Sequence, residues 1–394
     1  MTMLAVAALS VRVMSESAAR DGYQVAALDL FGDTDTRASC STWSALGEPG
    51  SLRIDPDRLM SALAALAQRS DVIGWCPGAG FEGRAELLEQ GAALLPLIGN
   101  EASTVRSVRD PHIFFECLDR LGVPHPEVRA VPPGDGEASS WLIKDFQGTG
   151  GWHIQRWTGR DALRPSDSPA RYFQREATGR PMSVTFIANG VDACVLGFNQ
   201  LQTRRFGTKP YVYCGAVGPV HLPAAATRQI QRILPALVAE WALLGLGSLD
   251  FLLDGDTVSV LEINPRPPAS MALYEQLRFD GTLSPARPTC GVMEAHIRAC
   301  LRGELPVVRS EDAEAAVVRG IEIVYARRPA HLDTEMTRVL AQWLGAHDLP
   351  VVDTRCTTGD PLCSVTAAGA SIEDVLTRLI DSRERLLKTL ETST

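Results

Sequence analysis

The chain has 394 residues, a net charge of −9, 45% hydrophobic and 22% charged residues, and nine cysteines. This balance is that of an ordinary soluble globular protein with core enough for two or three domains. It contains no basic block, which argues against nucleic acid as partner, and no stretch long enough to span a bilayer, which argues against a membrane protein. The cysteines show neither CxxC pairing nor zinc spacing, so they read as buried hydrophobes or free thiols of a reducing compartment. The opening MTMLAVAALSVRVMS lacks a basic region before its apolar run. A signal peptide is therefore not expected, and a cytoplasmic location is.

Residues 1–100 alternate between strand and helix: strand at 4–9, helix at 11–20, strand at 23–31, helix at 59–68, strand at 72–76, helix at 84–90 and a short strand at 94–98. Such alternation implies a parallel sheet with its ligand side at the strand C-terminal ends. Ser10, Val11, Arg12, Asp29, residues 33–37 and the Gly78/Gly80 loop fall at those ends. They either line a substrate cleft or are ordinary loop punctuation. Residues 100–126 then read as a boundary followed by an amphipathic helix at 111–121, and residues 132–137 as a linker.

Residues 141–144 form a strand that delivers Lys144 near its end, followed by Gly148, Thr149, Gly150 and Gly151 and a second strand at 153–157. A glycine-rich loop between strands lets backbone N–H groups close over phosphates, and a lysine adds a point charge on the same oxygens. No helix with Lys-Ser/Thr follows, so this is not a Walker loop. By itself the loop reads equally as a flexible hairpin tip. Residues 171–188 read as strand, turn and strand, and Asn189-Gly190 turns into a strand at 191–198. Residues 200–213, with Arg204, Arg205, Lys209, Tyr211 and Tyr213, either face an anionic substrate or form a solvated edge. An amphipathic helix follows at 224–244, closed by Gly245 and Gly247.

Residues 248–268, SLDFLLDGDTVSVLEINPRPP, hold two strand-length runs around Asp254-Gly255-Asp256. That turn folds them into a hairpin with Asp250 opposite Glu262. Asn264 lies two residues beyond Glu262 and shares its face, with Arg266 just after. Converging oxygen ligands of this kind suit Mg²⁺ completed by waters and substrate phosphates, whereas the plain alternative is a surface hairpin with solvated acids. Beyond it come a helix at 290–302, in which His296 reads as an ordinary helix residue, strands at 317–326 and 362–367, and a final helix at 371–389.

The order Lys144, Gly148–Gly151, Gln174–Ala177, Asp250 and Glu262-Ile-Asn264-Pro-Arg266 resembles the ATP-grasp superfamily over about residues 100–305. The resemblance implies α/β and α+β structure. An N-terminal Rossmann-like parallel-sheet domain (1–100) would precede a small grasp lobe with the glycine-rich loop (101–190). A large lobe with the Mg²⁺ site (191–305) and a small C-terminal α+β cap (306–394) would follow. It implies that Asp250, Glu262 and Asn264 hold Mg²⁺, with Mn²⁺ as a substitute. Lys144 would touch the ATP phosphates, and Gly148, Thr149, Gly150 and Gly151 would cover them. Gln174, Arg175, Glu176 and Ala177 would form the adenine hinge, and Arg266 would steady the transferred phosphoryl group. Two positions depart from the pattern. Arg109-Asp110-Pro111-His112 stands where many members carry a lysine after the aspartate, and Pro181-Met182 where many place an acid on the ribose. Arg109 is expected to take the lysine's part.

The segments ALDLFGDTDTR, GNEASTVRSVRDP, LDRLGVPHPEV and TGDPLCSVTA look like a narrower group, predicted ligases related to biotin carboxylase. This group includes the tyramine–glutamate ligase of methanofuran biosynthesis and relatives in methylofuran and other one-carbon cofactor pathways. The implied activity is ATP-dependent joining of a small-molecule carboxylate to an amine through an acyl phosphate, releasing ADP and phosphate. Glutamate with tyrosine or tyramine is the expected pair, and family habit points to a homodimer. The alternatives are a biotin-carboxylase-like carboxylation, for which no biotin-carrier motif is present, and a catalytically silent nucleotide-binding module. Cys76, Cys214 and Cys290 are expected to be packing residues.

Overall fold

The computed structural model describes residues 2–134, 136, 140–159, 170–284, 287–308 and 317–392. Strands Met3–Ala7, Gln24–Asp29, Thr42–Ala45 and Val72–Pro77 form a parallel four-stranded sheet, with Met3–Ala7 between Gln24–Asp29 and Val72–Pro77. The inner strands are apolar without alternation, as burial on both faces requires. Strand order runs outward from Met3–Ala7 on one side and then returns to its other side. The switch point thus lies between Met3–Ala7 and Val72–Pro77. There the two following loops meet, with Leu9 N–H donating to Ala79 O at 2.8 Å. The sequence did not announce helix Thr34–Ser39 or the polar edge strand Thr42–Ala45. The expected strand at 94–98 shrinks to a single bridge between Trp75 and Leu97, because Pro96 has no N–H for a ladder.

A second, antiparallel sheet has the order Val128–Arg129, Arg171–Arg175, Trp141–Asp145, Gln155–Arg156. Trp141, Trp157 and Phe173 pack as its own small core, and Lys144 pairs with Tyr172 across the ladder. The expected linker at 132–137 lies partly outside the described residues, which omit 135 and 137.

The third sheet has eight strands. The hairpin Leu244–Asp254 and Thr257–Asn264 lies at one edge, turning at Gly255 with φ +57°, and pairs Asp250 with Glu262. Arg180–Asn189, Ala193–Phe206, Lys209–Gly218, Val318–Tyr325, Pro361–Gly369 and Ala346–His347 follow in antiparallel order. Helix Ala224–Trp241 covers one face, where Leu249, Phe251, Ile263 and Leu237 join a common core, and helix Val292–Arg302 packs in a separate core with Ile187 and Leu246. The first of these helices stops earlier than expected. Ala242 takes a left-handed conformation at φ +47°, and the Leu243 N–H closes back on Val238 O at 3.0 Å.

The sheets divide the chain differently from the expected limits. Arg180–Asn189 belongs to the large sheet, so the change of sheet falls between Arg175 and Arg180 rather than at 190. The C-terminal residues expected as a separate cap supply Val318–Tyr325 and Pro361–Gly369 to that same sheet, covering the otherwise open edge of Lys209–Gly218. Among the described residues no helix is long and apolar enough to cross a membrane.

Two sets of contacts fix the parallel sheet against the large one. The buried Asn100 side chain donates to Leu244 O at 2.8 Å and Pro265 O at 2.9 Å, and accepts from Leu244 N–H at 2.8 Å. Asp35 accepts from the N–H groups of Asp348 and Leu349 at 2.8 and 3.0 Å, and Arg12 Nε donates to Asp348 at 2.8 Å. Because Asn100 satisfies three buried backbone groups, Asn100→Ala is expected to cost about 3 kcal/mol. It would be read as a lower midpoint of urea unfolding; an unchanged midpoint would remove Asn100 from this role.

Candidate active site

The three sheets enclose one cavity of about 1180 Å³. Strand alternation selects its lining. Ser183 faces it while Met182 and Val184 enter the core, Ser248 and Asp250 face it while Leu249 and Phe251 do not, and Tyr211 and Tyr213 face it around buried Val212. The N-terminal switch-point loops bring Ser10, Gly80 and Glu82, and the C-terminal segment brings Asp348, Arg355 and Ser364.

At the edge hairpin the carboxyls of Asp250 and Glu262 face each other. Asn264 Nδ2 donates to Asp250 Oδ2 and to Ser248 Oγ at 3.3 Å each, and Ser248 Oγ donates to Asp250 Oδ1 at 3.4 Å. Burial, then the charge of Glu262, pushes the Asp250 carboxyl up to about 8. Burial acts on Glu262 in the same sense, but Arg109, Lys144 and His153 outweigh it and hold that carboxyl below its usual range. Two facing acids that resist double ionisation, flanked by an amide oxygen, make a donor set that fits a hard divalent cation.

Arg109, at the end of helix Ala102–Arg109, reaches Glu262 Oε2 at 3.1 Å with NH1. Its NH2 donates to Phe146 O and Gly148 O, both at 2.8 Å, so one buried guanidinium joins the acid hairpin to the root of the glycine-rich loop. Arg266 is held by Glu82, with Nε to Oε1 at 2.6 Å, and its NH2 lies 3.5 Å from Asn264 Oδ1. Glu82 in turn accepts from Gly80 N–H at 2.7 Å and from Thr149 Oγ1 at 3.5 Å. Burial alone would raise the Glu82 carboxyl, yet Arg266 and Arg109 hold it low.

The loop lies against the large sheet. Gly150 O accepts from Tyr213 N–H at 2.9 Å, and a Cβ on Gly151, at φ +78°, would overlap the Tyr211 carbonyl. Trp152 packs on Phe206 and Tyr325 with ring centroids 5.4 and 5.8 Å away. Behind the loop, Lys144 is buried with neither a hydrogen bond nor an ion pair among the described residues, and burial lowers its ammonium to about 8. His153 Nδ1 and Gln174 Nε2 are likewise buried without partners among the described residues. Burial lowers the His153 imidazole to about 4, so it is neutral near pH 7. An unpaired cation and two orphaned polar atoms along one wall fit a ligand that is anionic at one end and accepts hydrogen bonds elsewhere.

Of the expected site residues, Lys144, Gly148, Thr149, Gly150, Gly151, Gln174, Ala177, Asp250, Glu262, Asn264 and Arg266 all line this cavity. Arg175 and Glu176 do not. Their N–H groups donate to Glu127 O and Ser140 O at 2.8 Å, and their side chains turn outward, Arg175 to Glu127 and Glu176 to Arg156 and Tyr211. Those N–H groups are unavailable to a ligand. Of the basic and aromatic residues named in that segment, Tyr211 and Tyr213 line the cavity and the arginines do not: Arg204 pairs with Glu322, and Arg205 Nε donates to Gly207 O. His296 is buried beneath the sheet, accepting from Leu246 N–H at 2.8 Å with Cys76 Sγ 3.1 Å from Nε2. Glu82 and His153 also line the cavity, and the sequence reading did not single them out. Their only signals are an acid after a glycine pair and a histidine after a glycine run.

Residues 109–270 match the sequence model of the ATP-grasp domain. No curated protein matches the sequence. Among solved structures, the chain is similar to a carboxyaminoimidazole ribonucleotide synthase from Aspergillus clavatus complexed with ATP. The TM-score is 0.68 at 16% identity, over 98% of this chain and 99% of that one. A biotin carboxylase from Campylobacter jejuni gives 0.70 at 12% identity over 98% and 95%. An L-amino acid ligase from Bacillus licheniformis gives 0.65 at 13% identity over 98% and 97%. The chain thus carries an ATP-grasp domain at its centre and shares the fold of these structures across 98% of its length.

Proposed function

We propose that the protein is an ATP-dependent carboxylate–amine ligase. The observation that carries this reading is the single cavity lined at once by the Asp250, Glu262 and Asn264 set, the unpaired Lys144 and the Glu82-held Arg266. Asp250, Glu262 and Asn264 would hold Mg²⁺, which supplies charge neutralisation for the phosphates. Lys144 and the backbone of Gly148, Thr149, Gly150 and Gly151 would bind those phosphates, and Gln174 with Ala177 would meet the base. The γ-phosphoryl of ATP passes to a carboxylate oxygen, giving an acyl phosphate and ADP. A neutral amine then attacks the acyl carbon, and the amide forms as phosphate and a proton leave. Such chemistry asks for positioning and charge rather than a side-chain nucleophile. Arg266 would steady the transferred group, already aimed by Glu82. The docked loop would keep water from the acyl phosphate.

Glutamate with tyrosine or tyramine is the pair we propose to test first, on the likeness of residues 27–37, 99–111, 118–128 and 358–367 to ligases of methylofuran-type biosynthesis. ADP release that requires both substrates, with a condensation product of matching mass, would support the pair.

Glu262→Gln is expected to lower ADP release by at least about 100-fold without changing the thermal midpoint by more than a few degrees. Undiminished turnover would remove Glu262 from metal binding. A second outcome concerns pH. Lys144 must be charged to hold phosphate, and its ammonium titrates near 8 in the free protein. Mg-ATP affinity should therefore be constant below that value and fall by up to about tenfold per unit above it. Lys144→Met should weaken binding and flatten this slope; a variant that kept it would assign the titration elsewhere.

A further inference from the structure

At the end of the cavity formed by the parallel sheet and the C-terminal segment lie several carboxylates, all but one of them engaged. Asp29 accepts from Val11 N–H at 3.2 Å, Gly32 N–H at 2.9 Å and Trp43 Nε1 at 2.8 Å. Asp35 takes the N–H groups of Asp348 and Leu349, and Asp348 is bound by Arg12 and by the Ser364 hydroxyl. Glu16 accepts from Arg12 NH1 at 3.1 Å. Glu16, Asp35 and His347 bring ligand atoms within 4.8 Å of one another. The Arg12 guanidinium, bonded to Glu16 and 3.6 Å from Asp35, already supplies the positive charge there.

Asp33 is the exception. It is 6% exposed, lines the cavity, and its carboxyl has no hydrogen bond or ion pair among the described residues. Its position makes this unusual. Asp33 is the N-cap residue of helix Thr34–Ser39, where an aspartate ordinarily accepts from the first-turn N–H groups, yet no cap bond forms. The Thr34 N–H donates instead to Leu349 O at 2.7 Å. A buried acid that forgoes the donors beside it, among carboxylates with no spare cation, is costly unless a ligand completes it.

We propose that Asp33 anchors a protonated amine of the substrate, carried on an apolar body that packs against Leu9, Phe31, Ile54, Pro350 and Val351. This rests on the ligase reading of the cavity and adds the class of its amine-bearing substrate. The anchored ammonium hands one proton to the Asp33 carboxylate, leaving the neutral amine that the ligase step needs. Burial, then the charges of Asp348, Asp29 and Asp35, raise the Asp33 carboxyl to about 8. An approaching ammonium would reverse that shift, which gives the pair its selectivity for amines over isosteric alcohols. Arg53 and Arg355, both exposed, also line the cavity, so an additional carboxylate on the same substrate is not disfavoured.

The test is calorimetry on the full chain, first with the non-hydrolysable analogue Mg-AMPPNP alone and then, at saturation, with matched pairs: tyramine against tyrosol, and phenethylamine against phenylethanol. At least one amine should bind about tenfold or more tighter than its alcohol. Asp33→Asn should bring the two within about twofold, and Asp33→Glu should restore part of the preference. Asp33→Asn should also leave nucleotide affinity unchanged and raise the ligand-free thermal midpoint at pH 9, because an uncompensated buried charge has been removed. Equal binding of amine and alcohol, failure of every amine to bind, or a preference that survives in Asp33→Asn would overturn the proposal. So would a lower midpoint in that variant, since it would mean that the carboxylate is already paired. Failure of Mg-AMPPNP to bind would instead overturn the ligase reading, so the two outcomes are separable.

Discussion

One guanidinium holds the site in register. Arg109 reaches the hairpin acid Glu262 and the carbonyls of Phe146 and Gly148, so the ends of three elements from different parts of the chain meet on a single planar cation. The fork geometry matters: a lysine ammonium is a point donor and cannot span these directions with fixed orientation. With Arg109 in place, the glycine-rich loop starts at a set height above the acid pair, and Lys144, on the strand leading into that loop, is fixed as a consequence. Glu82 plays the matching part for Arg266 on the opposite wall. The buried and half-buried cations facing the cavity are thus either clamped by an acid or left bare, and among the described residues the bare one is Lys144.

This contrast between satisfied and unsatisfied groups runs through the molecule. Beneath the acid hairpin, Asn199 donates to Ser183 and Thr185, and Tyr274 donates to Asn199, so the polar layer under the floor is closed. Deep inside, Glu322 is saturated by Arg204 and Arg383. The orphans Lys144, His153 Nδ1, Gln174 Nε2 and Asp33 all belong to cavity-lining residues. Other buried polar atoms without partners among the described residues, such as Trp75 Nε1, Trp157 Nε1 and Arg298 NH2, lie outside the cavity, but these four share it and together map what a ligand must bring: negative charge near Lys144, an acceptor for Gln174, and positive charge near Asp33.

The central hairpin could be read from sequence because everything it needs is local. A Gly-containing turn, period-two alternation and a span of about fifteen residues bring Asp250 opposite Glu262 with no help from tertiary structure. Lys144 and its glycine loop were readable for the same reason. Arg109 pairs with a residue 153 positions away, and Glu82 with one 184 away; no periodicity encodes such distances. The hinge was half legible. Alternation along Arg171–Arg175 turns Gln174 inward, but the diversion of the Arg175 and Glu176 N–H groups to Glu127 and Ser140 depends on where a neighbouring strand and loop happen to pass. In the C-terminal region the strands were legible but their partners were not: no local pattern says that Val318–Tyr325 pairs with Lys209–Gly218, a hundred residues earlier, and so extends the main sheet.

That extension dictates an order of events during synthesis. The parallel sheet is complete once residue 77 has emerged, and its ladders join near neighbours in sequence. The large sheet grows by hairpins up to Gly218 and then adds Leu244–Asp254 and Thr257–Asn264 at its other edge; the Lys209–Gly218 edge waits a hundred residues for Val318–Tyr325, itself capped only by Pro361–Gly369 and the helix Ile372–Thr392. Throughout that interval the nascent chain carries an open strand edge at Lys209–Gly218 and a cavity without its C-terminal wall. The nucleotide end of the pocket is therefore built first, whereas the end bearing Asp33 closes only once Asp348 and Leu349 have been made and dock on Asp35.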